Sequence, residues 1–218
     1  MTLVRALSSL VLLLAVSAAG CGSSDPCVSG AGPVVSQTLD LSNLTGFDFQ
    51  VGGEVVATLG TTQQVVIRSQ QNVIDQLNRD VINGIWEIGF AQCVRNVSEL
   101  RVEITTTELD TVELSGAGTI NAETQARTMD TILSGAGTVT LSGQTVSQQV
   151  MLSGSGTVEA FGLATEETTV LLSGQGTVNV KADAQLDIEL SGAGAVFYQG
   201  DPQLNVSITG VGTVTDAN

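Results

Sequence analysis

Residues 114–120 read Leu-Ser-Gly-Ala-Gly-Thr-Ile, and this stretch decides the fold because it returns with little change five more times along the chain. Each copy starts at an aliphatic anchor, and successive anchors are 18 to 20 residues apart. The anchors are Leu114, Leu133, Leu152, Leu172, Leu190 and Ile208. A constant motif within a nearly constant period indicates a repeat architecture whose variation falls in the connections.

The repeats have the apolar spacing of strands. Apolar residues alternate by two around each anchor, as in Val150-Met151-Leu152, whereas a helical repeat would place them three and four apart. A period of 18 to 20 residues fits one circuit of three short strands and three turns. The sequence therefore predicts an all-β fold, a single-stranded right-handed parallel β-helix in which each rung pairs with the next.

Aligning the repeats on their anchors predicts which side chains point inward. One inward column lies two residues before the anchors and contains Val112, Thr131, Val150, Val170, Ile188 and Val206. A second contains Ile120, Val139, Val158, Val178, Val196 and Val214. A third begins at Ala122 and ends at Asp216, which breaks its apolar character. With about four aliphatic side chains per rung, each contributing roughly 1.5 to 3 kcal/mol, stacking holds the fold together.

Two physical effects can explain why glycine recurs in the Ser-Gly-Xaa-Gly corners. We expect positive φ angles there, and we expect crowding because neighbouring rungs lie only about 4.7 to 4.9 Å apart.

Composition excludes several functions. The 218 residues carry 22 acidic and 7 basic side chains, a net charge of -15, so nucleic acids and anionic surfaces are repelled. The chain has no histidine, the usual neutral-pH general base and a common metal ligand. The corners also lack the aspartate of calcium-binding repeats. No cofactor is predicted.

The first residues have the features of an export signal. Arg5 precedes the apolar run Leu10–Val16, and residues 17–21 read Ser-Ala-Ala-Gly-Cys, which resembles the lipobox of bacterial lipoproteins. This predicts a lipoprotein signal peptide over 1–20, lipidation at Cys21, a tether over 21–33 and a β-helix domain over 34–218 with regular repeats over 109–218. Plain secretory cleavage is the alternative. Gly22 after the cysteine favours the outer membrane in a Gram-negative cell.

Two cysteines remain in the mature chain. In an oxidising compartment Cys27 and Cys93 are expected to form a disulfide that closes a loop of 66 residues, worth about 4 kcal/mol in the chain-entropy model.

The repeated Leu-Ser-Gly-Xaa-Gly-Thr-Val unit resembles the GIN domain, also named the putative auto-transporter adhesin head domain. Residues 34–104, with Phe-Asp-Phe at 47–49 and Gly-Ile-Trp-Glu-Ile at 84–88, are similar to the N-terminal half of that family. The resemblance implies a parallel β-helix on an exported protein, often a lipoprotein, with an adhesive role. It brings no catalytic residues to this chain.

A segment before the repeats has helical spacing. Val73, Ile74, Leu77 and Val81 predict a short helix near residues 72–82, with Asn72 as its N-cap. Such a helix, or a long loop, would cover the first rung. Trp86 and Phe90 are predicted to be core residues beneath it, the alternative being an aromatic ligand platform.

The outward position before each anchor holds the candidate interaction site. It reads Glu113, Ile132, Met151, Leu171, Glu189 and Ser207, so three central rungs carry an aliphatic stripe about 10 Å long. We define Ile132, Met151 and Leu171 as the interaction stripe. It is either a partner contact or a surface beneath a connecting loop.

Two other outward features have weaker functional interpretations. The ladder Thr119, Thr138, Thr157 and Thr177 would suit ice or an ordered polysaccharide, but the mixed neighbouring column favours simple strand propensity. Asp187 and Glu189 lie about 6.7 Å apart along a strand, near the carboxylate spacing of inverting glycosidases. Residues 109–218 contain only two basic side chains to assist them.

The sequence therefore predicts a non-catalytic cell-envelope lipoprotein that presents a β-helical surface for binding or adhesion. The membrane is contacted through the lipid anchor, and the further partner is a protein or a glycan. The alternatives are a structural envelope scaffold and, less favoured, a polysaccharide-active enzyme.

Overall fold

The computed structural model describes residues 27–41 and 43–218. The predicted signal peptide (1–20) and the predicted lipidation site Cys21 lie outside these residues. No helix within the described ranges is long and apolar enough to cross a bilayer.

The elements are β1 (Val28–Ser29), β2 (Val34–Leu39), β3 (Gly46–Phe49), β4 (Glu54–Leu59), β5 (Gln64–Gln70), α1 (Gln71–Ile74), β6 (Val81–Ile82), β7 (Ile85–Ile88), β8 (Val94–Arg95), β9 (Arg101–Thr106), β10 (Thr111–Leu114), β11 (Thr119–Thr124), β12 (Thr128–Leu133), β13 (Thr138–Leu152), β14 (Thr157–Leu172), β15 (Thr177–Lys181), β16 (Gln185–Leu190), β17 (Ala195–Gln199), β18 (Gln203–Ile208) and β19 (Thr213–Asp216).

The predicted parallel β-helix is confirmed, and its register follows the anchors. Leu114 pairs with Leu133, Leu133 with Leu152, and the series continues to Ile208. The β13–β14 ladder shifts register between Thr140 and Ser142, whose partners in β14 are Glu159 and Gly162. The extra residue of the 20-residue repeat is therefore absorbed as a bulge in β14.

Two rungs without the glycine motif extend the stack, and they do not follow chain order. β3 pairs with β10 on one side and β7 on the other, while β4 pairs with β11 and β9. The chain thus forms the rung of β3 and β4 first, passes outward to the rung of β7 and β9, and returns to start the repeats at β10. Phe49 and Ile88 continue the anchor column through these two rungs.

The inward columns that the alignment predicts lie in the core, together with further buried residues such as Met129, Leu163 and Leu186. Val112, Val150 and Val170 are fully buried, and their column continues through Phe47 to Trp86. Trp86 is a core residue as predicted, and its indole Nε1–H donates a hydrogen bond of 2.9 Å to the Asn78 carbonyl. Phe90 is partly buried against the same core. In the last described rung, Val206 and Ile208 lie in the predicted columns but are 38% and 46% exposed.

The corner glycines are required by crowding alone. A Cβ on Gly135 would lie 1.9 Å from the Gly116 carbonyl oxygen, and one on Gly154 would lie 2.0 Å from the Gly135 oxygen. The expectation of positive φ at these corners is wrong. The positive-φ glycines of the described residues are Gly32, Gly53, Gly84, Gly143 and Gly200, which lie outside the Ser-Gly-Xaa-Gly corners.

The predicted helix near residues 72–82 is much shorter than its apolar spacing suggests. α1 ends at Ile74, and Asn72 lies inside it instead of capping it. Leu77 instead forms an antiparallel bridge with Phe90, and β6 forms a hairpin with β7. The hairpin turn is Asn83-Gly84, with φ angles of 52° and 84°, which matches the two-residue turn that Asn-Gly favours. The backbone groups of this segment are therefore used in sheet pairing.

Antiparallel strands, instead of a long helix, extend the N-terminal end of the stack. β5 pairs antiparallel with β9, and β2 pairs antiparallel with β5. The predicted tether contains β1, which pairs with β8 beside a Cys27–Cys93 disulfide. The Asn72 side chain connects α1 to this segment, because its amide nitrogen donates to the Ser29 carbonyl at 2.8 Å.

Candidate functional site

The interaction stripe forms one continuous outward column. Ile132 pairs with Met151, and Met151 pairs with Leu171, so the three side chains lie on consecutive rungs about 4.8 Å apart. Met151 is 40% exposed, and the other two are half-buried. No connecting loop within the described residues therefore covers the stripe.

The stripe is the floor of a shallow surface groove of about 330 Å³. Its hydroxyl-bearing side is formed by the corner serines Ser153, Ser173 and Ser191. The groove continues past Leu171 to Glu189 and Ser207 on the next two rungs. It thus combines an aliphatic floor with a row of hydroxyl groups and one carboxylate.

Beyond Ile132, the same outward column carries three carboxylates on consecutive rungs. Glu113 pairs in register with Asp48, and Asp48 pairs with Glu87. We call Glu87, Asp48 and Glu113 the acidic ladder. The repeat alignment predicts Glu113 next to the stripe, but it does not include the other two. Their rungs lack the glycine motif and stack out of chain order, and only the Phe-Asp-Phe and Trp-Glu-Ile alternation marked them as strands.

The acidic ladder is held by hydrogen bonds from neutral side chains. Asp48 accepts one from the Gln50 amide at 2.7 Å and one from the Ser115 hydroxyl at 2.8 Å. Partial burial raises the pKa of Glu113, and the negative charges of Asp48 and Glu87 raise it further, while a hydrogen bond from Ser115 opposes the shift. The carboxylates therefore repel one another at this position.

No cation of the described chain neutralises the ladder. The ion pairs within residues 27–41 and 43–218 join Arg68 to Glu99, and Arg101 to Glu54 and Glu103. The same residues contain no grouping of three His, Cys, Asp or Glu side chains that could hold a metal ion. The ladder is a concentrated negative charge beside an aliphatic surface.

The repeat register, the glycine corners and the N-terminal rungs match a known family model. The model described as "Putative auto-transporter adhesin, head GIN domain" matches residues 43–202. The chain belongs to the GIN domain family. The comparison with curated proteins gave no match.

Solved structures share the fold of this GIN domain. A putative adhesin from Bacteroides fragilis is 19% identical, with a TM-score of 0.71 over 87% of this chain and 99% of that chain. A putative adhesin from Parabacteroides merdae is 16% identical, with a TM-score of 0.56 over 88% and 99%. A structure from Parabacteroides distasonis described as a putative lipid binding protein is 16% identical, with a TM-score of 0.52 over 88% and 100%.

The Asp187 and Glu189 pair of this GIN domain is arranged as a polar surface. Asp187 accepts hydrogen bonds from the amides of Gln185 at 2.6 Å and Asn205 at 3.2 Å. Glu189 is exposed and lies between Leu171 and Ser207 in the stripe column. The pair contributes charge at one end of the groove.

The threonine ladder is in register on a different face of the GIN domain. Thr119, Thr138, Thr157 and Thr177 pair rung by rung, and Ala195 interrupts the series. In the next outward column, Glu159 accepts a hydrogen bond from the Asn179 amide. The column also contains Phe197, so the two columns do not form a uniform surface.

Proposed function

We propose that this GIN domain is a non-catalytic, adhesin-like binding module of the bacterial cell envelope and that the interaction stripe is its contact face. The family to which the chain belongs supports an adhesin-like role at the cell surface or envelope. The observation that carries the proposal is the uninterrupted stripe of Ile132, Met151 and Leu171, with Met151 40% exposed in the floor of a groove.

The stripe differs from the other exposed apolar side chains by its position. Ile82 lies in the β6–β7 hairpin, and Val146 lies in β13 between Thr145 and Ser147. The remaining four, Leu204, Val206, Ile208 and Val211, lie in the last described rung. The stripe alone occupies consecutive central rungs on the flank of the stack, within the described residues. A solvent-facing aliphatic surface in a body of high net negative charge favours a partner contact.

A triple substitution with a matched control tests this contact. Ile132→Lys, Met151→Lys and Leu171→Lys together should abolish adhesion of protein-coated beads to cells, because lysine replaces three aliphatic side chains that a bound partner would cover. The control places lysine at Thr138, Thr157 and Thr177, on another face of the stack. Both variants should keep the circular dichroism of the wild type. Equal adhesion and equal oligomeric state for wild type and stripe variant would overturn the proposal.

We also propose that Cys21 carries a lipid anchor that places the domain on the outer membrane. The support is the lipobox-like residues 17–21 and the export-signal features before them. Metabolic labelling with a radioactive fatty acid should mark the wild type and not Cys21→Ala, which should be released from the membrane fraction. Unlabelled wild-type protein in the soluble fraction would refute the anchor. Protease treatment of intact cells then reports which side of the membrane the domain faces.

A further inference from the structure

We infer that the partner of the interaction stripe is a polypeptide segment that is both apolar and cationic, with basic side chains on one or both sides of an aliphatic centre. This inference rests on the proposed binding role of the stripe. It follows from the order of side chains along one column, which reads Glu87, Asp48, Glu113, Ile132, Met151, Leu171 and Glu189.

The column is a sequence of two surfaces with distinct chemistry. Three carboxylates on consecutive rungs span about 10 Å, and three aliphatic side chains on the next rungs span about 10 Å more. Glu189 closes the far end of the aliphatic part. The apolar surface is therefore bounded by negative charge at both ends, strongly on the side of Glu113.

The ladder charges are available to a partner. The hydrogen bonds to Asp48 and Glu113 come from uncharged groups, Gln50 and Ser115, and the ion pairs of the described residues lie elsewhere. Mutual repulsion and partial burial at Glu113 mean that a cation placed over the ladder relieves an existing unfavourable interaction. The net charge of -15 also steers cations toward the protein.

The two surfaces together favour a polypeptide over other envelope molecules. Anionic glycans and anionic lipid headgroups are repelled by the ladder, and a neutral glycan leaves it unpaired. Among its lining residues the groove floor has no aromatic side chain to stack on a sugar ring. Lys and Arg side chains supply the positive charge, while Leu, Ile or Val fills the stripe.

The length of the column sets the size of the segment. From Glu87 to Glu189 there are six rung steps, about 29 Å at the spacing of paired strands. An extended segment of about nine residues or a helix of about 19 residues covers that distance. A peptide with lysines flanking a leucine-rich centre is therefore a suitable probe.

The test measures binding of fluorescent peptides of about 19 residues to the full chain by anisotropy. The first peptide has lysines flanking leucines, the second replaces lysine by glutamate, and the third replaces leucine by serine. We expect the first to bind most tightly, and its affinity to fall as salt rises from about 0.05 M to about 0.5 M. Equal binding of the lysine and glutamate peptides would overturn the inference.

Variants of the protein test whether the acidic ladder binds the lysine peptide. Glu87→Gln, Asp48→Asn and Glu113→Gln together should weaken binding of the lysine peptide about tenfold, since three surface ion pairs of modest strength are lost. The control is Glu108→Gln, Glu166→Gln and Asp183→Asn, an equal charge change at exposed corner positions that line neither the groove nor the acidic ladder. It should change affinity less than about twofold. An equal loss in both variants would show only a general charge effect and overturn the inference.

The stripe variant separates this inference from the proposed function. Peptide binding could be lost in the variant with Ile132→Lys, Met151→Lys and Leu171→Lys but unchanged in the ladder variant. That result would contradict the inference of a cationic partner and leave the stripe as a contact face. Peptide binding that is unchanged in both variants would contradict both the inference and the proposal that the stripe is the contact face.

Discussion

Asp48 and Glu113 lie opposite each other on neighbouring strands, although the chain passes through the whole outer rung of β7 and β9 between them. Two like charges in directly paired positions are unfavourable. Burial and this neighbour raise the pKa of Glu113 above the ordinary value of 4.5. A carboxylate whose pKa is raised in the folded state makes the charged fold less stable than the neutral one.

Glu113→Gln should therefore stabilise the protein at pH 7. The penalty of the charged form is fully present above the raised pKa, and it is relieved as pH falls through the raised pKa and then below 4.5, where glutamate becomes protonated in both states. The gain in the free energy of unfolding, measured by urea titration, should be present at pH 7 and vanish below about pH 4.5. The control Glu189→Gln is exposed with Leu171 and Ser207 as column neighbours, so it should change stability little. A loss of stability in Glu113→Gln at pH 7 would contradict the prediction.

The sequence predicts the fold well where the glycine motif repeats regularly and poorly where the motif is missing. The register of Leu114, Leu133 and Leu152 follows from the sequence because one motif copied along the chain can only stack on itself. The positions of the Phe49 and Ile88 rungs could not be predicted, because these rungs lack the glycine corners. In addition, the stack order is Ile88, Phe49, Leu114, whereas Phe49 comes before Ile88 in the chain.

The candidate site was predicted in part for the same reason. The interaction stripe lies within the repeats and was visible from the alignment, whereas the acidic ladder depends on pairing between β10, β3 and β7. The hairpin at Asn83-Gly84 had a recognisable turn signal, but the apolar spacing of Val73, Ile74 and Leu77 favoured a helix over the same segment.

Thr131→Val should stabilise the protein. Thr131 is fully buried in the column of Val112 and Val150, and its hydroxyl has no hydrogen-bond partner among the described residues. Valine has nearly the same shape and removes the cost of the unpaired polar atom, about 1 to 2 kcal/mol. Thermal and urea unfolding should both shift upward.

The matched control for this substitution is Thr106→Val. The Thr106 side chain is also buried, but its hydroxyl donates to the Leu44 carbonyl at 2.8 Å. Its loss leaves that carbonyl unpaired and should destabilise by about 1 kcal/mol. If both substitutions changed stability in the same direction, hydrogen bonding would not be the cause.

Gln148→Met should also stabilise the fold. Gln148 is 1% exposed in a column with Met129 and Thr168, and neither its amide nitrogen nor its amide oxygen has a partner among the described residues. Methionine fills the same space without buried polar atoms, and we expect a gain of about 1 to 3 kcal/mol in urea unfolding.

The control for Gln148 is Gln70→Met. Gln70 is 3% exposed, but its amide donates to the Ser98 hydroxyl at 2.8 Å and accepts from the Ser98 backbone N–H at 3.1 Å. This variant should lose stability. A lower urea midpoint for Gln148→Met would show instead that its amide contributes favourably to the folded state.

Gly154→Ala should destabilise the stack more than any surface substitution. The added Cβ would lie 2.0 Å from the carbonyl oxygen of Gly135 on the preceding rung, a backbone atom that cannot move without separating the rungs. The cost is about 3 kcal/mol, because the strain falls on paired backbone and not on a flexible side chain. Gly52→Ala is the control, since its Cβ would come no nearer than 3.6 Å to the Ala117 oxygen. Thermal unfolding should show a large drop for the first and a small change for the second. A similar change in both would mean that conformational freedom, and not the close approach of the rungs, explains the corner glycines.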